Sequence, residues 1–347
     1  MTRITVVTDA WHPQVNGVVR SIECTNAELE RLGATVTMVT PAAFWTVPCP
    51  TYPEIRLSLA SYRTVARHIE AGMPAYVHIA TEGPLGLKAR RWCIRHGMPY
   101  TTSYHTRFPE YVSARWPLPE RWLYALVRRF HNAGAGCMVA TESLARELSA
   151  RGFTNLMRWS RGIDAELFRP RPAAERMFKD LPRPIFLNVG RLSVEKNLEA
   201  FLALELPGTK VVVGDGPQCE ALAREFPDAV FAGPMFGEDL ARAYASADVF
   251  VFPSRTDTFG NVILEALACG VPVAAYPVMG PVDILGGSEA GALDEDLGIA
   301  ALKALRLSRI AARNHALRFS WARAAEQFLR NVRLANGERI EASSAAE

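Results

Sequence analysis

Short apolar runs alternate with longer stretches whose apolar residues recur at helical spacing, and the alternation repeats along the whole chain. In the first half the runs are Ile4–Thr8, Val36–Thr40, Ala75–Ala80, Pro99–Ser103, Gly136–Ala140 and Leu156–Ser160. In the second half they are Pro184–Val189, Lys210–Val213, Val230–Phe231, Asp248–Phe252 and Val271–Tyr276. Continuous apolar runs bounded by Gly, Pro or polar breakers read as strands buried on both faces, which is the habit of parallel sheets. Helices are expected over Val18–Leu32, Arg63–Ala71, Gly83–His96, Leu118–His131, Ser143–Ala150, up to Leu204, Asp239–Ser246, Asn261–Cys269 and Ile299–Phe319. A final helix, Trp321–Leu334, is apolar at Ala324, Ala325, Phe328 and Val332. Residues 42–60, rich in Pro, Trp and Tyr, read as an irregular loop. Two successive strand–helix series predict an α/β chain of two doubly wound domains.

A linker is marked by Phe168-Arg-Pro-Arg-Pro172 and Ala173-Ala174. The expected division is a first domain over 1–168, a linker over 169–182 and a second domain over 183–318. A C-terminal helix over 319–336 and a polar, disordered tail over 337–347 complete it. A length of 347 residues suits two domains, each with its own core.

Candidate chemistry sits where strands give way to helices, the edge at which open α/β sheets bind ligands. After the strand ending at Phe252 comes Pro253-Ser-Arg-Thr-Asp-Thr-Phe-Gly260, then a helix from Asn261 with Gly270 placed to end it. A helix start aims N–H groups and a positive dipole end at an anion. Asp257 and Glu265 flank it, eight residues apart. One of them could hold neutral hydroxyls, such as a ribose, while N–H groups and cations hold a diphosphate. The plainer alternative is a surface loop whose Asp helps cap a helix. Arg191 and Lys196 share the preceding strand-to-helix loop and could grip one diphosphate, Arg by a fork and Lys as a point charge. They could equally be solvated charges beside Glu195. Gly17 stands where a backbone must come close at a helix start, or in a plain Asn-Gly turn. His105 lies just past a strand's carboxyl end, in a functional or merely structural role.

The pair Asp257 and Glu265, around Phe259-Gly260 and ahead of Glu265-Ala-Leu-Ala-Cys-Gly270, resembles the acidic-x7-Glu motif of family 4 retaining glycosyltransferases, which have the GT-B fold. The first acid in that family is commonly Glu; here it is Asp257. The resemblance extends to Ser103-Tyr-His-Thr106, Arg161-Gly-Ile-Asp164 with Phe168-Arg-Pro170, Gly190-Arg-Leu192 with Glu195-Lys-Asn197, and Val213-Gly-Asp-Gly-Pro217. The Thr256-Asp-Thr-Phe-Gly260 version resembles the subgroup of sulfoquinovosyl-, glycosyl- and mannosyl-transferases that act on lipids. It implies two facing Rossmann-like domains with an interdomain cleft, and transfer of a hexosyl unit with retention. By the same likeness Arg191 and Lys196 would neutralise the donor diphosphate, and Gly17 would approach its phosphate or the acceptor. Asp257, or the backbone at Phe259, Gly260 and Asn261, would hold sugar hydroxyls and Glu265 the ribose. His105 would hydrogen-bond sugar or phosphate, and Gly280 would close over the sugar. The donor would be GDP-mannose or a UDP-hexose or UDP-uronate, and the acceptor a membrane lipid such as diacylglycerol.

Charge sharpens the acceptor side. Residues 1–172 hold 21 Lys and Arg against 13 Asp and Glu, a net of +8, whereas residues 173–347 hold 18 against 23, a net of −5. A basic first half suits an anionic surface or substrate. Residues 111–131 mix Trp116, Trp122, Tyr124 and Phe130 with Arg115, Arg121, Arg128 and Arg129. An amphipathic helix of that composition is either interfacial or a helix with its apolar face in a core. No apolar run approaches the roughly 18 residues of a membrane span, and the first residues are too short for a signal peptide's apolar region. Six scattered cysteines without CxxC spacing argue against a disulfide framework or zinc site. The expected setting is cytoplasmic, or peripheral on the inner face of the cytoplasmic membrane. No cofactor, metal or nucleic-acid partner is expected. No His/Cys ligand cluster is present, so leaving-group charge falls to Arg191, Lys196 and helix N-termini. Absence of GxGxxG speaks against an oxidoreductase. Two other readings stand: the same chemistry on a soluble or polysaccharide acceptor, and a nucleotide- or lipid-binding protein without catalysis.

Overall fold

The computed structural model describes residues 2–13, 16–49, 52–113 and 118–339. The chain divides into two compact units, residues 1–160 with 321–347, and residues 161–320.

The first unit is built on a parallel sheet. In chain order its elements are β1 (Arg3–Val7), α1 (Gly17–Arg31), β2 (Thr35–Val39), β3 (Thr46–Cys49), β4 (Tyr52–Ser58), α2 (Tyr62–Ala71), β5 (Tyr76–Ile79), α3 (Pro84–Arg95), β6 (Tyr100–Tyr104), α4 (Phe108–Ser113), α5 (Glu120–His131), β7 (Gly136–Val139), α6 (Glu142–Ala150) and β8 (Leu156–Arg158). The strand order is β2-β1-β5-β6-β7-β8, with Ile4 in register with both Val36 and Tyr76. β5, β6 and β7 are buried along their whole length, which explains their continuous apolar or small-residue runs. One face of the sheet is covered by Val65 and Ile69 of α2, Leu85, Ala89 and Trp92 of α3 and Phe130 of α5. The other carries Ile22 and Leu29 of α1, with Ala325, Phe328 and Val332 of the last helix.

The second unit repeats the plan: β9 (Ile185–Val189), α7 (Leu198–Leu202), β10 (Thr209–Val213), α8 (Cys219–Glu225), β11 (Val230–Phe231), α9 (Gly237–Ser246), β12 (Val249–Phe252), α10 (Asn261–Ala268), β13 (Val273–Ala275), α11 (Met279–Leu285), β14 (Gly291–Leu293), α12 (Leu297–Ala304) and α13 (Arg309–Ala316). Its parallel strands run β11-β10-β9-β12-β13-β14. The chain then returns to the first unit as α14 (Trp321–Ala335).

Five expectations need correction. Residues 42–60 are not an irregular loop: β3 and β4 form an antiparallel hairpin, with a register shift between Pro48 and Cys49. Ile299–Phe319 is not one helix: it breaks after Ala304, and Ser308 caps α13 by accepting the Ala311 N–H. The first unit ends at Ser160, not 168, because 161–168 packs on the second unit. There Phe168 is fully buried against Tyr244, and Arg313 donates to the Phe168 and Ala165 carbonyls. The expected linker is itself anchored, with Arg171 buried and paired to Glu175 and Glu238. Of the expected tail, Glu338 accepts a hydrogen bond from Tyr76; residues 340–347 lie outside the described residues.

Candidate active site

In the second unit, β9 and β12 are sheet neighbours, so their carboxyl ends deliver two loops to one place. After β9 the chain runs through Gly190 and the half-buried Arg191 into a 3₁₀ turn, Val194–Lys196. Asn197 follows in the left-handed region at φ 55°, a conformation asparagine tolerates, and starts α7. Its side chain donates to the Pro253 carbonyl at 3.1 Å. Ser254 and Thr256 in turn donate to the Glu195 carbonyl at 3.3 and 3.4 Å. The two loops are thus cross-braced by short polar side chains.

At the centre of the brace, Lys196 Nζ donates to both oxygens of Asp257, at 2.7 and 2.9 Å. Sequence reasoning assigned these residues to different parts of a ligand, and the structure joins them across 61 positions. Phe259 turns inward, 7% exposed, against Phe319. Gly260 is the N-cap of α10 at φ 95°; a β-carbon there would crowd Phe252 and be strained by the backbone. As an N-cap it offers the first-turn N–H groups no side-chain acceptor, and Asn261 opens the helix. Glu265 lies one turn in, only 5% exposed, with Tyr244 Oη donating to its Oε2 at 2.9 Å. That hydrogen bond fixes the orientation of a carboxylate whose burial would otherwise be costly.

Two further segments buttress these loops. At Gly280 a β-carbon would stand 2.5 Å from the Phe259 carbonyl oxygen and 3.1 Å from that of Asp257. The start of α11 therefore presses backbone to backbone on the loop. The turn after β10 runs along the β9 loop, with the Leu192 N–H donating to the Asp215 carbonyl. Seven of the expected site residues, Arg191, Lys196, Asp257, Phe259, Gly260, Asn261 and Glu265, accordingly belong to one loop cluster in the second unit.

Gly17 and His105 belong to the first unit. Gly17 opens α1, capped by Asn16, which accepts the Val18 and Val19 N–H groups at 3.0 and 3.1 Å. His105 follows β6, half-buried, with its ring edge-on to Trp159 at 5.8 Å. The loop that carries it is clamped by Arg107, which bridges Glu110 and Glu147 at 3.1 and 2.5 Å. Asp9 escaped sequence reasoning. It is buried, and accepts the Leu85 and Gly86 N–H groups at 2.8 and 3.1 Å, capping α3 from the end of β1. Burial pushes its pKa up against the pull of those N–H groups. Its partners lie 76 and 77 positions away, so no local signal marks it. His131, also unforeseen, is wholly buried between Thr102 and Glu82, at 2.8 and 2.9 Å. Burial disfavours its charge, but Cys137 and Glu82 outweigh burial and hold its pKa up, to about 10.

Of the basic helix, α5 buries Tyr124, Val127 and Phe130 and exposes Arg121, Trp122 and Arg129. Arg128 is exposed, and one of its nitrogens donates to the Arg151 carbonyl. Trp116 and Arg115 lie outside the described residues. Among the described residues no group of three or more His, Cys, Asp or Glu is placed to hold a metal ion, and no helix is long and apolar enough to cross a membrane.

Two parallel sheets of this strand order, with ligand-ready loops at their carboxyl ends, define the GT-B glycosyltransferase architecture. A solved sucrose-phosphate synthase from Thermosynechococcus elongatus shares the fold at TM-score 0.77, with 21% identity, over 96% of this chain and 99% of that one. The catalytic domain of starch synthase IV from Arabidopsis thaliana does so at TM-score 0.68 and 14% identity, over 97% and 100%. Residues 15–167 match the profile described as Glycosyltransferase Family 4, and residues 183–308 that of glycosyl transferases group 1. A GDP-mannose-dependent α-mannosyltransferase of Mycobacterium tuberculosis is 31% identical over 84% of this chain and 83% of its own length. The sulfoquinovosyl transferase SQD2 of Arabidopsis thaliana is 34% identical over 70% of this chain, which spans about half (51%) of that relative. The chain belongs to glycosyltransferase family 4.

Proposed function

We propose that the chain transfers a hexosyl unit from a nucleotide sugar, GDP-mannose or a UDP-hexose or UDP-uronate, to a membrane lipid such as diacylglycerol, with retention at the anomeric carbon. The observation that carries the donor half is the Lys196–Asp257 pair, set between two braced loops beside the start of α10, whose N-cap residue is Gly260. A cation next to a helix N-terminus suits a diphosphate, and a carboxylate next to both suits sugar hydroxyls. In the proposed reaction Arg191 and Lys196 neutralise the leaving diphosphate without a metal. Glu265, oriented by Tyr244, holds the ribose, and Asp257 with the backbone at Phe259 and Gly260 holds the sugar. By the same resemblance His105 is assigned to a sugar hydroxyl or the phosphate, and Gly17 to the donor phosphate or the acceptor. The proposed route is front-face: the acceptor attacks from the leaving-group side while the departing phosphate takes its proton. GDP-mannose is favoured among donors by the name of the mycobacterial relative.

The acceptor half rests on the α2–α3–α5 layer of the first unit. Its outer face exposes Arg63, Arg67, Arg91, Arg95, Arg121 and Arg129. Between them stand Leu87, Ile94, Trp122 and Leu126, each more than half exposed. Arginines around protruding apolar residues suit an anionic bilayer at the cytoplasmic face. A soluble acceptor is the second reading, favoured by relatives named D-inositol 3-phosphate glycosyltransferase, 32% identical over 51% of this chain.

The test is transfer from GDP-mannose and from UDP-sugars, each with anionic liposomes or with a soluble polyol phosphate, and NMR of the product's anomeric proton. An α-linked lipid product confirms the proposal. Transfer to the soluble acceptor alone establishes the second reading. A β-linked product, or a glycosyl adduct trapped on a side chain, overturns the front-face mechanism.

A further inference from the structure

Each sheet has a point where the strand order turns back on itself. In the second unit it lies between β9 and β12, the strands whose loops bring Lys196 to Asp257. In the first unit it lies between β1 and β5: β2 flanks β1 on one side, and β5 to β8 continue from the other. Open α/β sheets take ligands in the crevice outside the carboxyl ends at such a point. The first crevice is furnished differently from the second. The start of α3 is already filled by Asp9, which accepts the Leu85 and Gly86 N–H groups. The Asp9 N–H donates to Thr81 Oγ1 at 2.7 Å, and that hydroxyl donates to Asp9 Oδ2 at 3.1 Å. A β-carbon at Gly83 would stand 2.5 Å from the Asp9 carboxyl, and one at Gly86 1.9 Å from the Thr81 carbonyl oxygen. The turn is therefore fixed on both sides of Glu82.

Glu82 is itself oriented from below. Its Oε1 accepts from Nε2 of the wholly buried His131 at 2.9 Å, and Nδ1 of that ring is 2.8 Å from Thr102 Oγ1. The raised pKa of His131 makes donors of both its nitrogens. The Glu82 side chain is 27% exposed, and its Oε2 has no hydrogen-bond partner among the described residues. A phosphate at this crevice finds the α3 start taken and meets a carboxylate. Hydroxyl groups meet an oriented acceptor with one oxygen to spare. We propose that Glu82 binds the sugar acceptor, taking one of its hydroxyls on Oε2, and selects an uncharged hydroxylated group over a phosphorylated one. This rests on the glycosyl-transfer reading above and narrows the acceptor to a glyceryl or cyclitol end without charge beside the hydroxyl that is held.

The experiment is titration of the full chain with glycerol and with myo-inositol, read by saturation-transfer NMR with GDP or UDP at saturation. Both polyols are expected to bind, at least tenfold more weakly in Glu82→Ala and at least fivefold in Glu82→Gln, with nucleotide affinity unchanged. Glycerol 3-phosphate should displace myo-inositol no better than glycerol does. In transfer assays the same variants should raise the acceptor KM and leave the donor KM alone. Should Glu82→Ala melt like an unfolded chain, Glu82→Gln, which still offers His131 an acceptor, carries the test. Absent polyol binding, stronger displacement by glycerol 3-phosphate, or undiminished binding in folded Glu82→Gln overturns the proposal. A lowered melting temperature with unchanged polyol affinity does so too, because it assigns Glu82 to the support of His131 alone. Binding is read without turnover, so a chain that binds polyols through Glu82 but transfers from no donor refutes the transferase reading and not the site.

Discussion

Replacing Lys196 by Ala removes a cation and also releases a carboxylate. Lys196 and Asp257 are 31% and 16% exposed at their side chains and bonded at 2.7 and 2.9 Å. A partly exposed pair of this kind contributes about 1 kcal/mol or less to stability, so the melting temperature should barely move. The effect on the donor is expected to be larger. Loss of one charge-assisted contact to a developing leaving group costs about 2–4 kcal/mol, or roughly 30- to 900-fold in kcat/KM. The bared Asp257 then adds its own repulsion. Two unit charges about 7 Å apart at an effective dielectric constant of about 20 interact by ~2.4 kcal/mol, which solvent screening trims to about 1–2. Restoring neutrality with Asp257→Asn in the Lys196→Ala background should therefore recover about 5- to 30-fold in nucleoside diphosphate affinity, read by calorimetry. Native-like affinity in Lys196→Ala refutes the assignment of this lysine to the diphosphate. A double variant no tighter than the single one refutes the repulsion argument.

Gly280→Ala would drive a β-carbon to 2.5 Å from the Phe259 carbonyl; a loss of about 1–3 kcal/mol and a raised donor KM are expected, and unchanged melting and kinetics would contradict the buttress. Tyr244→Phe removes one hydrogen-bond donor to the buried Glu265 and should cost about 0.5–1.5 kcal/mol in urea unfolding, together with weaker nucleotide binding. His131 has a raised pKa, so its contribution to stability is fully present below its unfolded value of 6.5 and is lost as pH rises through about 10. The difference in urea midpoint between wild type and His131→Gln should shrink over that window, and a pH-independent difference argues against a buried imidazolium. Trp122→Ala with Leu126→Ala, at 63% and 64% exposure, should leave melting unchanged while weakening sedimentation with anionic vesicles; undiminished sedimentation removes α5 from the membrane contact.

What the sequence disclosed follows from locality. Buried parallel strands announce themselves as short apolar runs, and the spacing of Asp257, Gly260 and Glu265 places all three on one loop and one helix turn. The pairing of β3 with β4 was hidden, because Pro48 and the aromatic residues of that stretch obscure strand alternation. The break between α12 and α13 was hidden because Leu305 and Leu307 continue the apolar pattern while Ser308 ends the helix. Long-range contacts left no trace at all. Asp9 is legible only once β1 and β5 are neighbours, and the Lys196–Asp257 bond only once β9 and β12 are. The linker misled for a different reason: proline-rich sequence signals an irregular backbone, not an unattached one, and Arg171 ties it down.

The return of α14 to the first unit sets an order of assembly. Ile163 and Ser320 form a bridge, so the chain enters and leaves the second unit side by side, and residues 161–320 are an insertion in a unit otherwise continuous. On the ribosome that insertion is complete while the earlier-made unit still lacks Phe328 and Val332 over Ile4, Val6 and Trp159. The domain begun first is closed last. A chain halted before Trp321 would carry a finished second domain and a first domain whose sheet lacks α14 beside α1 on one face, a ready substrate for chaperones or proteases.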